Sequence, residues 1–190
     1  MSNTWFTADW HFGHANIIKH CKRPFAGVHE MNSFMTQRIN DLVKVDDTLY
    51  VLGDMTGTGN SPTKYLEQLC CQKIYLIKGN HDCKQLPVAR LAGIADLAHV
   101  TVEGQQITLC HYSMRTWNQQ HRGSWQLYGH SHGKLARVPG QLSFDCGVDC
   151  WGFEPIPFSK VKAEMAKITA QYGKELESRV AVDMHAKVYA

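Results

Sequence analysis

The sequence predicts an α/β protein with a single domain over residues 1–190. Short apolar runs rich in β-branched and aromatic residues alternate with segments whose apolar residues recur at helical spacing. Five polar motifs follow directly on apolar runs, and α/β sheets bind ligands in the crevice outside the carboxyl ends of their strands. No repeat, low-complexity segment or Pro/Gly/Ser linker divides the 190 residues, a length that buries a core unaided.

Trp5–Ala8 reads as a short buried strand that delivers Asp9 to a loop. His29–Val43 reads as an amphipathic helix, with Met31, Phe34, Met35, Ile39 and Leu42 at helical spacing. Asp46-Asp47 turns the chain into Thr48–Leu52, a second strand that stops at Gly53-Asp54. Ser61-Pro62 marks a helix start, with an N-cap and a proline at the first helical position; that helix should run to about Cys70. Lys73–Lys78 is a third strand, ending at Gly79-Asn80.

Val100–Val102 and Gln106–Cys110 flank Glu103-Gly104 as a hairpin whose second strand ends at His111. Trp125–Tyr128 ends at Gly129-His130, and Leu142–Cys146 is one more strand. Ser159–Tyr172 closes as a helix, with Val161, Met165, Ile168 and Tyr172 on one face. Beyond it, Glu175, Glu177 and Arg179 suit a solvated helix end.

Bulk composition narrows the function. A net charge of +3 gives no basic footprint for duplex nucleic acid. No apolar run reaches transmembrane length. The N-terminus lacks a basic n-region and a cleavage site, so no signal peptide is expected and the chain reads as cytoplasmic. Its seven cysteines then read as reduced thiols. No Cys-x-x-Cys pair offers a zinc ribbon or redox motif. Cys83 and Cys110 adjoin motif residues; as small buried hydrophobes they are structural, and as reactive thiols, the lesser reading, they would make activity oxidant-sensitive.

The motifs are Asp9-Trp10-His11, Gly53-Asp54, Gly79-Asn80-His81-Asp82, His111 and Gly129-His130-Ser131-His132. Asp, Asn and His supply the oxygen and nitrogen donors that borderline divalent metals accept. One carboxylate can bridge two ions, and two ions about 3.5–4 Å apart can clamp both ends of a phosphoryl displacement. A lone Asp-x-His carries little weight. Five motifs in this order, each at a strand end, are those of one shared site.

This ordered set resembles the calcineurin-like metallophosphoesterase superfamily, whose pattern is D-x-H, G-D, G-N-H-[DE], H and G-H-x-H. The resemblance covers roughly residues 4–157. Asp9-Trp10-His11-Phe12-Gly13-His14, Asn16-Ile17-Ile18 and Arg23-Pro24-Phe25 resemble a small bacterial and phage-type branch. His111-Tyr112-Ser113-Met114, Trp117-Asn118 and Gly147-Val148-Asp149 before Trp151 do so as well. The resemblance implies a four-layer α/β/β/α sandwich holding two divalent metal ions. Asp9, His11 and His132 would hold the first, and Asn80, His111 and His130 the second. Asp54 would bridge both. Mn²⁺ is the expected ion in vitro, with Fe and Zn²⁺ admitted by the same donors. His81 would protonate the leaving group after attack by a metal-bridging hydroxide, and Asp82 would orient His81 or hold its loop.

His14, Arg23 and Arg115 are candidate phosphate contacts, since imidazole and guanidinium both donate to phosphate oxygens. Trp10 and Trp117 are candidates to stack on a base. The expected substrate is a small phosphate monoester or diester, nucleotide-like. Cleavage of short RNA or DNA ends and a non-catalytic scaffold are the alternatives. A protein serine/threonine phosphatase is disfavoured, because the segment Gly53–Gly59 carries no arginine.

Overall fold

The computed structural model describes residues 2–57, 59–82 and 86–172. Glu175, Glu177, Arg179 and Cys83 lie outside these residues. Three strands, β1 (Thr4–Thr7), β2 (Thr48–Val51) and β3 (Lys73–Ile77), run parallel at the centre of the first sheet. Alternation along them divides the core. Trp5, Leu49, Val51, Ile74 and Leu76 face one side, while Phe6 and Ile77 face the other. The sheet order is β4-β3-β2-β1-β9, with β4 (Gly93–Ala95) and β9 (Ile156–Pro157) at the edges. Pro157 has no N–H to give to a ladder, so an edge suits it.

Helices α1 (Ala15–Cys21), α2 (Val28–Leu42) and α3 (Thr63–Leu66) cover the first of those faces. Met31, Met35 and Ile39 are the buried stripe of α2. Phe34 is 40% exposed, although expected on that stripe, and its ring packs at 5.5 Å on Phe25 at the helix edge. The helix after Pro62 is one turn rather than a run to Cys70. Gln68 and Leu69 already donate to the carbonyls three residues back, Tyr65 and Leu66, which tightens and ends the coil.

The second sheet has the order β5-β6-β7-β8, from β5 (Leu97–Val102), β6 (Gln105–Cys110), β7 (Trp125–Tyr128) and β8 (Ser143–Asp145). Asp96 alone separates β4 in one sheet from β5 in the other. Glu103 and Gly104 turn the β5–β6 hairpin at φ +48° and +82°, the left-handed pair that a two-residue hairpin loop needs.

Phe6, Ala8, Leu52 and Ile77 share one apolar cluster with Ile107, Leu109, Leu127 and Phe144 of the second sheet. Truncating a fully buried phenylalanine such as Phe6 costs about 3–5 kcal/mol. A last helix, α4, spans 158–172 of the described residues. Its Val161, Met165 and Ile168 join that cluster as expected, while Tyr172 is 39% exposed. The result is two sheets flanked by helices, the sandwich class that the family resemblance implied. Among the described residues no helix is long and apolar enough to cross a membrane.

Candidate dinuclear metal centre

The ends of β1, β2, β3, β6 and β7 deliver Asp9, Asp54, Asn80, His111 and His130 to one edge of the two sheets. Backbone hydrogen bonds lock these loops together. Asp9 donates to Gly53 (3.0 Å), His11 to Asp54 (2.9 Å) and Gly129 to His111 (3.0 Å). Asp9, His11, Asp54, His130 and His132 all have positive φ, from +48° to +67°. Non-glycine residues avoid this region, and its cost is met where surrounding structure fixes a functional geometry. Gly79 has to lack a side chain, because a Cβ there would collide with Asp54 Oδ1.

The donors gather into two groups. Ligand atoms of Asp9, His11 and His132 lie within 4.8 Å of one another, and so do those of Asp54, His111 and His130. Asp54 Oδ2 joins the groups, standing 3.5 Å from His11 Nε2 and 3.5 Å from His111 Nε2. Asn80 Oδ1 is 3.2 Å from the same His111 nitrogen. All seven expected ligand residues therefore converge. His11 Nε2 is buried without a hydrogen-bond partner, a state that buried polar atoms rarely keep. A divalent cation would satisfy it, and the oxygen and nitrogen donors around it suit such an ion.

The imidazoles are held from behind. His111 Nδ1 lies 2.7 Å from the Leu52 carbonyl, and His132 Nδ1 lies 2.7 Å from Asp149 Oδ2. A carbonyl or carboxylate only accepts, so each Nδ1 carries the hydrogen and each Nε2 keeps its lone pair for a metal. Asp149 is in turn gripped by Arg23 through Nε and Nη2, both at 2.8 Å. Residues 2–102, more than half of the chain, match the model of the calcineurin-like phosphoesterases.

The chain belongs to the calcineurin-like phosphoesterase family.

It is 34% identical over 163 residues to an uncharacterized protein of Methanocaldococcus jannaschii, covering 82% of this chain and 87% of that one. It is 25% identical to the Gene 66 protein of Mycobacterium phage L5, covering 80% and 89%. A crystal structure of a protein of unknown function from Aquifex aeolicus superimposes with a TM-score of 0.67 at 20% identity, covering 86% and 99%. That likeness is one of fold.

One reading of this calcineurin-like site needs correction, and one is narrowed to the second of its two alternatives. Arg23 is no substrate contact. Its side chain is fully buried, and besides Asp149 it donates to the carbonyls of Asp9 (2.7 Å) and Trp10 (2.9 Å). Asp82 takes the second of its expected roles, holding the loop, rather than orienting His81 through its carboxylate. Its oxygens accept from the amides of Asp54 (2.9 Å), Met55 (2.9 Å) and Gly79 (2.8 Å), binding the second and third strand ends together.

The tryptophans are buried loop anchors: Trp10 Nε1 donates to Thr7 Oγ1 (3.0 Å) and Trp117 Nε1 to the Ser124 carbonyl (3.1 Å). Arg115 is exposed, and its carbonyl accepts from Gln141. Its guanidinium joins no hydrogen bond or ion pair among the described residues.

His81 and His14 stand beside the first group. The His81 ring is 5.1 Å from that of His11 and 5.8 Å from that of His14. Its amide donates to Asp54 Oδ1 at 2.8 Å. Two neighbours went unassigned in the sequence. Asp149 follows the last predicted strand, so its place at a strand end was the available signal. Tyr112, 46% exposed, sets its ring 4.9 Å from His111 and 4.8 Å from His130.

Burial prevails at Asp9 and His11. It pushes the Asp9 carboxyl up to about 7, against the pull of His132. It pushes His11 down to about 3, against the pull of Asp54. Burial also opposes ionisation of Asp149, but hydrogen bonds from His132 and Arg23 outweigh it and hold that carboxyl below its usual range. Without metal, the first group is thus short of negative charge, which a cation restores by displacing the proton.

Proposed function

We propose that this chain is a dinuclear metal-dependent phosphoesterase that hydrolyses a small, nucleotide-like phosphate monoester or diester. One observation carries the reading: Asp54 Oδ2 is equidistant, at 3.5 Å, from Nε2 of His11 and of His111. A single carboxylate oxygen between two ligand groups is the arrangement that a bridging ligand requires.

Asp9, His11 and His132 would hold one ion, Asn80, His111 and His130 the other, and Asp54 both. Bound dications neutralise phosphate charge and lower the pKa of water, supplying a nucleophile near neutral pH. The chain's own part is placement. Arg23 fixes the carbonyls of Asp9 and Trp10 and the carboxylate of Asp149. Asp82 fixes the turn that carries Asn80 and His81. His81, beside His11 and outside both ligand groups, donates a proton to the leaving oxygen. An imidazole within reach of a leaving oxygen can act as its general acid.

The test is turnover of nitrophenyl phosphate against bis-nitrophenyl phosphate by metal-stripped protein, with and without Mn²⁺. Turnover that needs Mn²⁺ and is lost in Asp54→Asn supports the enzyme, and the preferred ester assigns monoesterase or diesterase. Metal-replete protein inert on both esters and on nucleotides would favour the scaffold reading.

A further inference from the structure

Each metal-site imidazole needs an acceptor for the hydrogen on its second nitrogen. Leu52 supplies a carbonyl to His111, and Asp149 supplies a carboxylate to His132. His11 has neither. Its Nε2 is the unpartnered buried atom facing Asp54. Its Nδ1 lies 3.4 Å from Nδ1 of His14. An imidazole that coordinates through Nε2 carries its proton on Nδ1, so the His11 nitrogen donates and the His14 nitrogen accepts. That fixes His14 in turn: with its Nδ1 lone pair engaged, its own hydrogen sits on Nε2.

The placement of His14 is built into the fold. It precedes the first turn of α1, half-buried beside His81. A Cβ on Gly57 would stand 2.7 Å from His14 Cβ, so that glycine makes the space. A bridge between Phe12 and Thr56 holds the two loops in register. A carboxylate at this position would also accept from His11. It would, however, set a negative charge where an anionic phosphate has to approach. A neutral imidazole accepts on one side and donates on the other.

We propose, on the basis of the phosphoesterase reading above, that His14 is a positioning residue for His11. It holds the metal-binding tautomer through Nδ1 and offers Nε2–H to an oxygen of the substrate phosphate. The first metal site and the phosphate contact are then two ends of one side chain.

Two amide substitutions separate these ends. In His14→Asn the side-chain oxygen takes the place of Nδ1, and the outer donor is lost. In His14→Gln the amide nitrogen takes the place of Nε2, and the inner acceptor is lost. The measurements are calorimetric Mn²⁺ titration of the metal-stripped full chain, and KM and kcat for nitrophenyl phosphate.

The Gln variant should lose about 10–100-fold in affinity for one of two ions, the usual effect of removing such a support. The Asn variant should bind both ions like the wild type and show a raised KM. Wild-type metal affinity in the Gln variant overturns the inner role, and an unchanged KM in the Asn variant overturns the outer one. Wild-type protein that takes up no Mn²⁺ overturns the phosphoesterase reading itself. Wild-type protein that binds and turns over, beside a Gln variant without loss, overturns the His14 assignment alone.

Discussion

Asp149 Oδ2 stands 2.7 Å from His132 Nδ1 and 2.8 Å from Arg23 Nη2, so one carboxylate oxygen couples a metal-site imidazole to a buried guanidinium. The side chains of Arg23 and Asp149 are 0% and 9% exposed. Breaking a buried pair by removing one partner costs about 3–5 kcal/mol, because the other charge is left without compensation. Asp149→Ala should therefore lower stability by that order and weaken one of the two metal sites by about 10–100-fold. Denaturant unfolding of the metal-stripped variant reads the first effect, and Mn²⁺ titration the second. A variant as stable as wild type with both sites intact would remove Asp149 from the support of His132.

Asp82 and His81 are adjacent, and their variants should differ in metal content. Asp82→Ala leaves the amides of Asp54, Met55 and Gly79 without their acceptor. A buried donor left unsatisfied costs about 1–3 kcal/mol, so this variant should unfold at lower denaturant and hold metal poorly. His81→Ala removes a side chain outside both ligand groups and should keep metal content. Equal unfolding midpoints for Asp82→Ala and wild type would refute the bracing role.

The ligand set was legible because few side-chain types can do this chemistry and each follows an apolar strand. Their supports were not. Arg23 and Asp149 are 126 residues apart, and no local pattern marks them as a pair. A loop arginine before Pro24-Phe25 reads as a candidate phosphate contact, yet the fold buries it beneath the Asp9–Trp10 backbone. The short elements were missed for a different reason. β4 has three residues and β9 two, too few for alternation to register, and they exist because neighbouring strands offer them a ladder. Only Ile17 of α1 is buried, so that helix shows no apolar period.

Metal binding should depend on pH, with the sign set by Asp9. Its folded pKa of about 7 lies above the ordinary 3.8. From about pH 4 to 7 the metal-free folded protein keeps a proton that the unfolded chain has released, so this group lowers stability as pH rises. His11, displaced from 6.5 to about 3, acts the other way from about pH 3 to 6.5. Through their shared window the two nearly cancel in folding. They do not cancel in metal binding, because Asp9 has a proton to release and neutral His11 has none. The Asp9 proton alone should thus make first-site Mn²⁺ affinity climb by up to about tenfold per pH unit between pH 5 and 7, the slope easing toward pH 7 as Asp9 ionises. Calorimetry in two buffers of different ionisation enthalpy counts the protons released, and a flat affinity over that range would contradict the assignment.

The role given to His81 predicts a dependence on the leaving group. A nitrophenolate departs readily as an anion and gains little from a proton donor. An alkoxide, as from a ribose or a sugar, needs the proton as its bond to phosphorus breaks. Positioned acid catalysis is worth about 10²–10⁴-fold, so His81→Ala should lose that much on alkyl esters and far less on nitrophenyl esters. Metal content should stay at the wild-type level, since His81 lies outside both ligand groups. Plotting log kcat/KM against leaving-group pKa for both proteins is the decisive comparison. A steeper slope in the variant identifies the proton donor. Parallel lines would move the acid to another group and leave His81 as a packing neighbour of His11.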